Sequence, residues 1–261
     1  MLEAKFDQAG LFKKVVEAIR EMVKDCNFDC SDTGIAVQAV DSSHIALVSL
    51  MLGSEAFSSF RSDRSMTLGM NVESLNKLLK AGGNEDILTL RAEDKSNSLS
   101  IVFEDPKQDK ISEFNLKLMD IEQDHLSIPE TEYTATITLP SSQFLKITRD
   151  LLQISEAIKI EASKDGVRFS AEGDIGDGAV NLKPYNDLEN KENNVEVNVN
   201  EQVTATFNAK YLSDICRGGN FAPQVTLSLT DVLPMEIEYK LPNGHLKYYL
   251  APQMNDGDAD E

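Results

Sequence analysis

Three histidines, three cysteines and 44 acidic side chains are the groups in this 261-residue chain that could perform catalysis or hold a metal. Their spacing supports neither. Cys26 and Cys30 stand four apart with no second pair, Cys216 is remote, and His44, His125 and His245 are scattered. A structural zinc site needs four such ligands at motif spacing, so no metal is expected. No local signature marks a Cys–His nucleophile, and inert buried thiols are the expectation. Carboxylates are so abundant that any two chosen as an acid–base pair carry no information. The phosphate-binding pattern Gly-x-x-x-x-Gly-Lys-Ser/Thr is missing. Gly173, Gly176 and Gly178 are in the wrong order for a dinucleotide fingerprint, and no helical pattern follows them. They mark a bent or edge strand. The chain is expected not to be an enzyme and to use no cofactor.

Charge is the second kind of chemistry. Lys and Arg total 25 against 44 Asp and Glu, a net charge of −19. The average field therefore repels nucleic acid and anionic lipid. Four helical faces, read at i, i+4, i+7, depart from that average. They are Lys13, Glu17 and Arg20; Glu73, Lys77 and Lys80; Ser142, Lys146 and Arg149; and Lys210, Asp214 and Arg217. One such face is an ordinary solvated surface. Four of them, each neutral or basic in a chain with nearly two acids per base, predict one surface that attracts phosphate while the rest repels it.

Those faces need helices behind them. Phe12, Val15, Val16, Ile19 and Val23 recur at helical spacing, as do Phe144, Thr148, Leu151 and Leu152, with Ser141 the expected N-cap. Leu75, Leu78 and Leu79 form a third stripe, ended by Gly82-Gly83. Leu212, Ile215 and Cys216 form a fourth, ended by Gly218-Gly219. Alternation over 87–91, 99–103, 114–118 and 196–199 predicts strands. Sliding the chain by 132 residues lays Phe12 on Phe144 and Gly34 on Gly166, and a shift of 137 lays residues 71–90 on 208–227. Two nearly equal shifts that keep element order predict an internal repeat.

The expected fold is α+β: two similar domains, each with two short helices against largely antiparallel sheets. The domains are expected over 1–118 and 134–254, joined by a linker over 119–133, with a solvated loop at 186–194 and an acidic disordered tail at 255–261. With 41% hydrophobic and 26% charged residues the composition is globular. No apolar run reaches the ~20 residues of a spanning helix, and the start lacks a signal peptide's pattern. A soluble protein of a reducing, intracellular compartment is expected, with no membrane partner.

Leu90-Arg91-Ala92-Glu93-Asp94, Asp41-Ser42-Ser43-His44, Leu126-Ser127-Ile128-Pro129-Glu130 and Gly244-His245-Leu246-Lys247-Tyr248-Tyr249-Leu250-Ala251-Pro252 together resemble the eukaryotic proliferating cell nuclear antigen (PCNA) family of DNA sliding clamps. The resemblance covers the chain up to its acidic tail. It implies a nuclear homotrimeric ring, with sheets outside and helices inside, encircling double-stranded DNA without reading its sequence. It also implies tethering of replication and repair enzymes, including translesion synthesis. The expected partners are a clamp loader, replicative DNA polymerase delta, flap endonuclease, DNA ligase and other proteins with clamp-interacting peptides.

By this resemblance Lys13, Lys14, Arg20, Lys77, Lys80, Lys146, Arg149, Lys210 and Arg217 face DNA, with Lys110 a weaker addition. The partner-peptide groove falls on Val40, His44, Ile45, Leu47, Leu126, Ser127, Ile128, Pro129, Tyr133, Pro234, Tyr249, Leu250, Ala251 and Pro252. Val40 stands where animal members carry Met, and Ser127 replaces a more familiar Gly. Lys164 matches the family's acceptor for ubiquitin and SUMO, joined by an isopeptide bond. Segments 110–118 and 174–183 read as edge strands that pair head-to-tail between subunits, through Lys110, Phe114, Leu116, Ile175, Gly178 and Val180. Phe114 stands where Tyr is common. Gly178→Pro is expected to release monomers. Two other readings compete: a subunit of a heterotrimeric damage-checkpoint clamp, and a Mg²⁺-dependent nuclease or phosphatase, which the lack of a short acidic cluster disfavours.

Overall fold

A computed structural model describes residues 1–94, 97–107, 109–122, 126, 128, 131–219 and 221–253. The expected tail at 255–261 lies outside them, as do residues 123–125 of the linker. Two compact units emerge. The first comprises residues 1–127 with 241–246, and the second comprises 128–240 with 247–261.

The first unit runs β1 (Leu2–Phe6), α1 (Gly10–Arg20), β2 (Asp25–Ser31), β3 (Gly34–Val40), β4 (Ala46–Gly53) and β5 (Ser59–Ser62). It continues with β6 (Met66–Asn71), α2 (Val72–Leu79), β7 (Ile87–Ala92), β8 (Ser98–Asp105) and β9 (Lys110–Lys117). The second runs β10 (Ala135–Pro140), α3 (Ser141–Leu152), β11 (Ala157–Ser163), β12 (Gly166–Gly173), β13 (Gly176–Leu182) and β14 (Glu196–Val199). It ends with β15 (Val203–Asn208), α4 (Ala209–Gly218), β16 (Gln224–Leu229), β17 (Met235–Leu241) and β18 (Gly244–Leu250), of which residues 241–246 are counted with the first unit.

The duplication is complete at the level of topology. Strand order β5-β1-β7-β8-β9 in the first unit recurs as β14-β10-β16-β17-β18, and β6-β2-β3-β4 recurs as β15-β11-β12-β13. Every pairing whose register is resolved is antiparallel, for example Leu2↔Ala92 and Ala135↔Leu229. This is the α+β repeat expected from the two sequence shifts.

Period-2 alternation sends one face of each strand inward, as in β1 (Leu2, Ala4, Phe6) and β10 (Ala135, Ile137, Leu139). Helices close over that face. Phe12, Val15, Val16 and Ile19 of α1 are buried, with the Phe12 ring 5.1 Å from Phe6. In the second unit Phe144, Ile147 and Leu151 of α3 do the same, and α3 packs over β10, β11, β12 and β16, strands of both sheets.

Helix ends differ from expectation in two respects. Ser141 is not a cap: Pro140 holds that position, Ser141 is already helical, and its buried Oγ has no hydrogen-bond partner among the described residues. The side-chain caps are Asn71, accepting from Ser74 N at 2.9 Å, and Asn208, accepting from Lys210 and Tyr211 N at 3.0 and 3.2 Å. These two asparagines are the first aligned pair of the 137-residue shift. The glycines after α2 and α4 do not act as left-handed stops, since the cap of α4, Gly219, has φ −78°. They make room for rings: a Cβ on Gly82 would strike Phe103, and one on Gly219 would strike Tyr239.

Candidate functional site

Charge is sorted by element. Including Lys80, the C-cap of α2, the four helices carry nine of the 25 Lys and Arg but only four of the 44 Asp and Glu. Sixteen bases therefore face forty acids everywhere else in the chain. In the first unit α1 packs on α2, and Lys14, Lys77 and Lys80 are exposed while Lys13 and Arg20 are half-buried. Lys13 Nζ donates to the Gly82 carbonyl at 2.6 Å, so it also ties α1 to the turn after α2. Glu73 lies within a basic neighbourhood. Its hydrogen bond and ion pair with Lys77 at 2.8 Å hold its carboxyl below the usual range, and Arg20 and Lys24 add to that pull. Lys24 was missed in the sequence, although it continues the row Lys13, Glu17, Arg20 by one more turn.

In the second unit α3 packs on α4, exposing Lys146, Arg149, Lys210 and Arg217. Arg149 lies 3.6 Å from Asp150 and Arg217 3.2 Å from Asp214. Exposed pairs of this kind stabilise by only about 0–1 kcal/mol, so a phosphate can displace the acid. Lys110 stands apart: it is the first residue of strand β9, exposed and not on a helix.

The chain covers most of its sheet edges. Along β6, Met119 N donates to Gly69 O at 2.9 Å, and a Cβ on Gly69 would collide with the Met119 carbonyl. Along β15, at the equivalent place, Gln253 N donates to Thr206 O at 2.7 Å. Gly53 at the end of β4 donates to Asn243 O at 2.9 Å. β5 and β14 are four residues each. By contrast β9 and β13, of eight and seven residues, end their sheets with no backbone bond on their outer side among the described residues. Ile111 and Ile175 beside those edges are 72% and 78% exposed.

Three interface expectations change in detail. Leu116 is buried in its own core, so only its backbone is available at the edge. Ile175 sits in the turn before β13, not in the strand. Gly178 faces its own unit: a Cβ there would lie 2.6 Å from Ile154 Cδ1, the movable end of that side chain. The two-residue turn at 174–175 makes Gly173↔Gly176 a hydrogen-bonded pair, so by ladder alternation Gly178 bonds inward to Ala171. The outward-pointing N–H groups are those of Asp177, Ala179 and Asn181.

Groove residues of the first unit are built on a buried acid. Asp41 accepts from Ser43, Ile45 and Ala46 N at 2.9, 2.8 and 2.7 Å, which shapes the loop that presents His44 (φ 57°) and Ile45. Val40 and Leu47 pair across β3 and β4. Gln38 was not foreseen. Its side-chain amide donates to Leu126 O and accepts from Leu126 N, both at 2.7 Å, replacing a neighbouring strand. Leu126 itself is 48% exposed. Ser127 and Pro129 lie outside the described residues.

In the second unit Tyr133, Tyr249, Ala251 and Pro252 are half-buried, Pro234 is exposed, and Ile128 is exposed. Leu250 is a correction. It is fully buried, because alternation along β18 turns Leu246, Tyr248 and Leu250 into the core and Lys247 and Tyr249 out. Burial and the nearby Glu236 push the Tyr133 phenol up to about 12. Lys164 occupies the exposed tip of the β11–β12 hairpin, where Gly166 (φ +147°) has no room for a Cβ beside the Leu182 carbonyl.

Burial pushes the thiols of Cys26, Cys30 and Cys216 from 9.0 to about 12, so they are poor nucleophiles near neutral pH. No group of three or more metal-ligating side chains converges among the described residues. No helix among them is long and apolar enough to cross a membrane.

A duplicated domain with charge-sorted helices and no convergent catalytic cluster among the described residues is the construction of a clamp subunit. Residues 1–126 match the family model of the proliferating cell nuclear antigen N-terminal domain, and residues 127–254 match that of its C-terminal domain. A relative from Chaetomium thermophilum, named proliferating cell nuclear antigen, is 51% identical over 257 residues, covering 98% of this chain and 99% of the relative. One of the same name from Saccharomyces cerevisiae is 45% identical over 256 residues, with the same coverage. The chain belongs to the proliferating cell nuclear antigen family. It is a DNA sliding clamp, a processivity factor and not an enzyme.

Proposed function

We propose that three copies of this chain close a ring around duplex DNA in the nucleus, with the helices towards the duplex. The observation that carries this is the sorting of charge, nine bases and four acids on the helices of a chain with net charge −19. A lining of that kind attracts phosphate without fixing register, so the ring can slide. The long uncovered edges β9 and β13 support a head-to-tail closure in which one copy's β9 pairs with the next copy's β13. A clamp loader opens such a ring onto DNA. Replicative polymerase delta, flap endonuclease and ligase then dock short peptides; the proposed contacts in the first unit are Val40, Ile45, Leu47 and Leu126, and those proposed in the second are Tyr133, Pro234 and Tyr249. Tethering raises their effective concentration at the substrate. Lys164 is proposed to accept ubiquitin and SUMO from their conjugation machinery, and a Lys164→Arg chain modified as fully as the parent refutes that role.

Light scattering tests the assembly. The reading predicts a mass of about 87 kDa, three times 28.9 kDa. A purified chain that stays near 29 kDa and requires two different subunits to assemble contradicts it.

A further inference from the structure

The two units differ in what covers one face of their repeated four-strand arrays. In the first unit, one row of residues across β6, β2 and β3 grips the chain that follows β9. Gly69 lies opposite Asn27, and continuing the Phe28↔Val37 pairing by one residue sets Asn27 opposite Gln38. Cross-strand partners share a face of the sheet. Gly69 O accepts from Met119 N at 2.9 Å, Asn27 Nδ2 donates to Ile121 O at 3.1 Å, and the Gln38 amide meets Leu126 N and O at 2.7 Å. Three successive strands thus place three pins on one segment.

The second unit repeats this row on β15, β11 and β12, where Thr206 lies opposite Lys159 and Lys159 opposite Ser170. The first pin is kept, with Gln253 N donating to Thr206 O at 2.7 Å. The other two are changed: Lys159 takes the place of Asn27, and Ser170 that of Gln38. This face is a trough of about 960 Å³. Lys159 and Arg168, whose side chains are 48% and 55% exposed, share one carboxylate, Glu161, at 3.1 and 3.6 Å. Glu172 and Asp177, which pair across β12 and β13, lie on the other side of Ser170 from Arg168.

Residues 254–261, beyond the described part of the chain, carry four acids (Asp256, Asp258, Asp260 and Glu261) and no Lys or Arg. Leu126, which meets Gln38, is the seventh residue after Met119, and the seventh after Gln253 is Asp260. We propose that this acidic segment is the occupant of the second unit's trough, running on from Gln253 across β11 and β12 and setting its carboxylates against Lys159 and Arg168. Composition alone assigns the segment to solvent; the repeated row and the matching reach give it a place. Exposed ion pairs are individually weak, but the anchor at Gln253 holds the segment at high effective concentration. Amide pins in the first unit are replaced by ion pairs in the second, so this strap is released by salt. Docked there, it covers two outward cations and leaves the attraction of phosphate to the helices.

A nitroxide on Ala259→Cys of the full-length chain tests the placement, since the native thiols are buried. Amide signals of isotope-labelled protein are compared with those after the label is reduced. At about 50 mM salt the amides of Lys159, Arg168 and Ser170 should lose most of their intensity. They should recover it at about 1 M salt, where the screening length falls to about 3 Å, and in a Lys159→Ala, Arg168→Ala double variant. Both side chains are exposed, so that variant keeps its fold. Full intensity at Ser170 in low salt overturns the proposal. So does loss at the helix amides instead, or loss at Ser170 that survives both high salt and the double substitution.

Discussion

Replacing Lys77, Lys80, Arg149 and Arg217 with Ala is the perturbation most closely tied to the proposed lining. All four side chains are exposed and belong to helix ends, so no core contact is lost. Three of them neutralise a neighbouring acid, Glu73, Asp150 or Asp214. The variant therefore drops the helices from nine cations to five and removes a cation from beside three carboxylates. Each phosphate contact contributes about 0.9 to the slope of log K against log salt, so losing four flattens it by about 3.6. Between 50 and 200 mM salt that removes roughly 150-fold of the affinity change the parent shows. The assay is binding to a fluorescent duplex across that salt range, with light scattering to confirm an unchanged assembly. An unchanged slope in an intact assembly would refute the claim that these helices meet DNA.

Three further outcomes are expected. Ala179→Pro removes an outward donor of β13 and should release monomers with an unchanged circular dichroism spectrum, whereas Gly178→Pro breaks the inward bond to β12 and should unfold the hairpin; an intact trimer for Ala179→Pro counts against the edge pairing. Gln38→Ala deletes both hydrogen bonds to Leu126 and should speed exchange of its amide hydrogen by about tenfold, measured by NMR, and an unaltered rate would show that another contact holds the segment. The three thiols are neutral in the fold, with values raised from 9.0 to about 12. Their contribution to stability is therefore complete below pH 9 and lost as pH rises towards about 12, and a thiol reagent at pH 8 should label none of them until denaturant is added. Labelling of the native chain would show that the cysteines are not buried as described.

The repeat was legible because topology is written in periodicity. Helical stripes at Phe12 and Phe144, and alternation in the strands, survive divergence that erases identity. The basic faces were legible for the same reason, since i, i+4, i+7 places their side chains on one side of a helix. Single atoms were harder. Ser141 has the right residue type for a cap, yet Pro140 ends β10 at the cap position and pushes the serine into the first turn. Gly82 and Gly219 look like helix stops, but ring packing from Phe103 and Tyr239 explains them, and those partners are distant in sequence. Leu250 and Leu116 carry the family's pattern while their side chains point into the core, which depends on strand phase. Gln38 carries no motif. Its significance lies in what the fold sets within hydrogen-bonding distance, the Leu126 backbone.

Encirclement itself is tested by topology. The clamp is loaded onto a nicked circular plasmid, passed through a sizing column at a salt concentration that abolishes binding to short duplexes, and the plasmid is then cut once. A ring of three chains should co-elute with the circle and be lost on linearisation. Retention on the cut plasmid, or dissociation from the intact circle under the same conditions, would contradict a clamp held on DNA by closure rather than by contact.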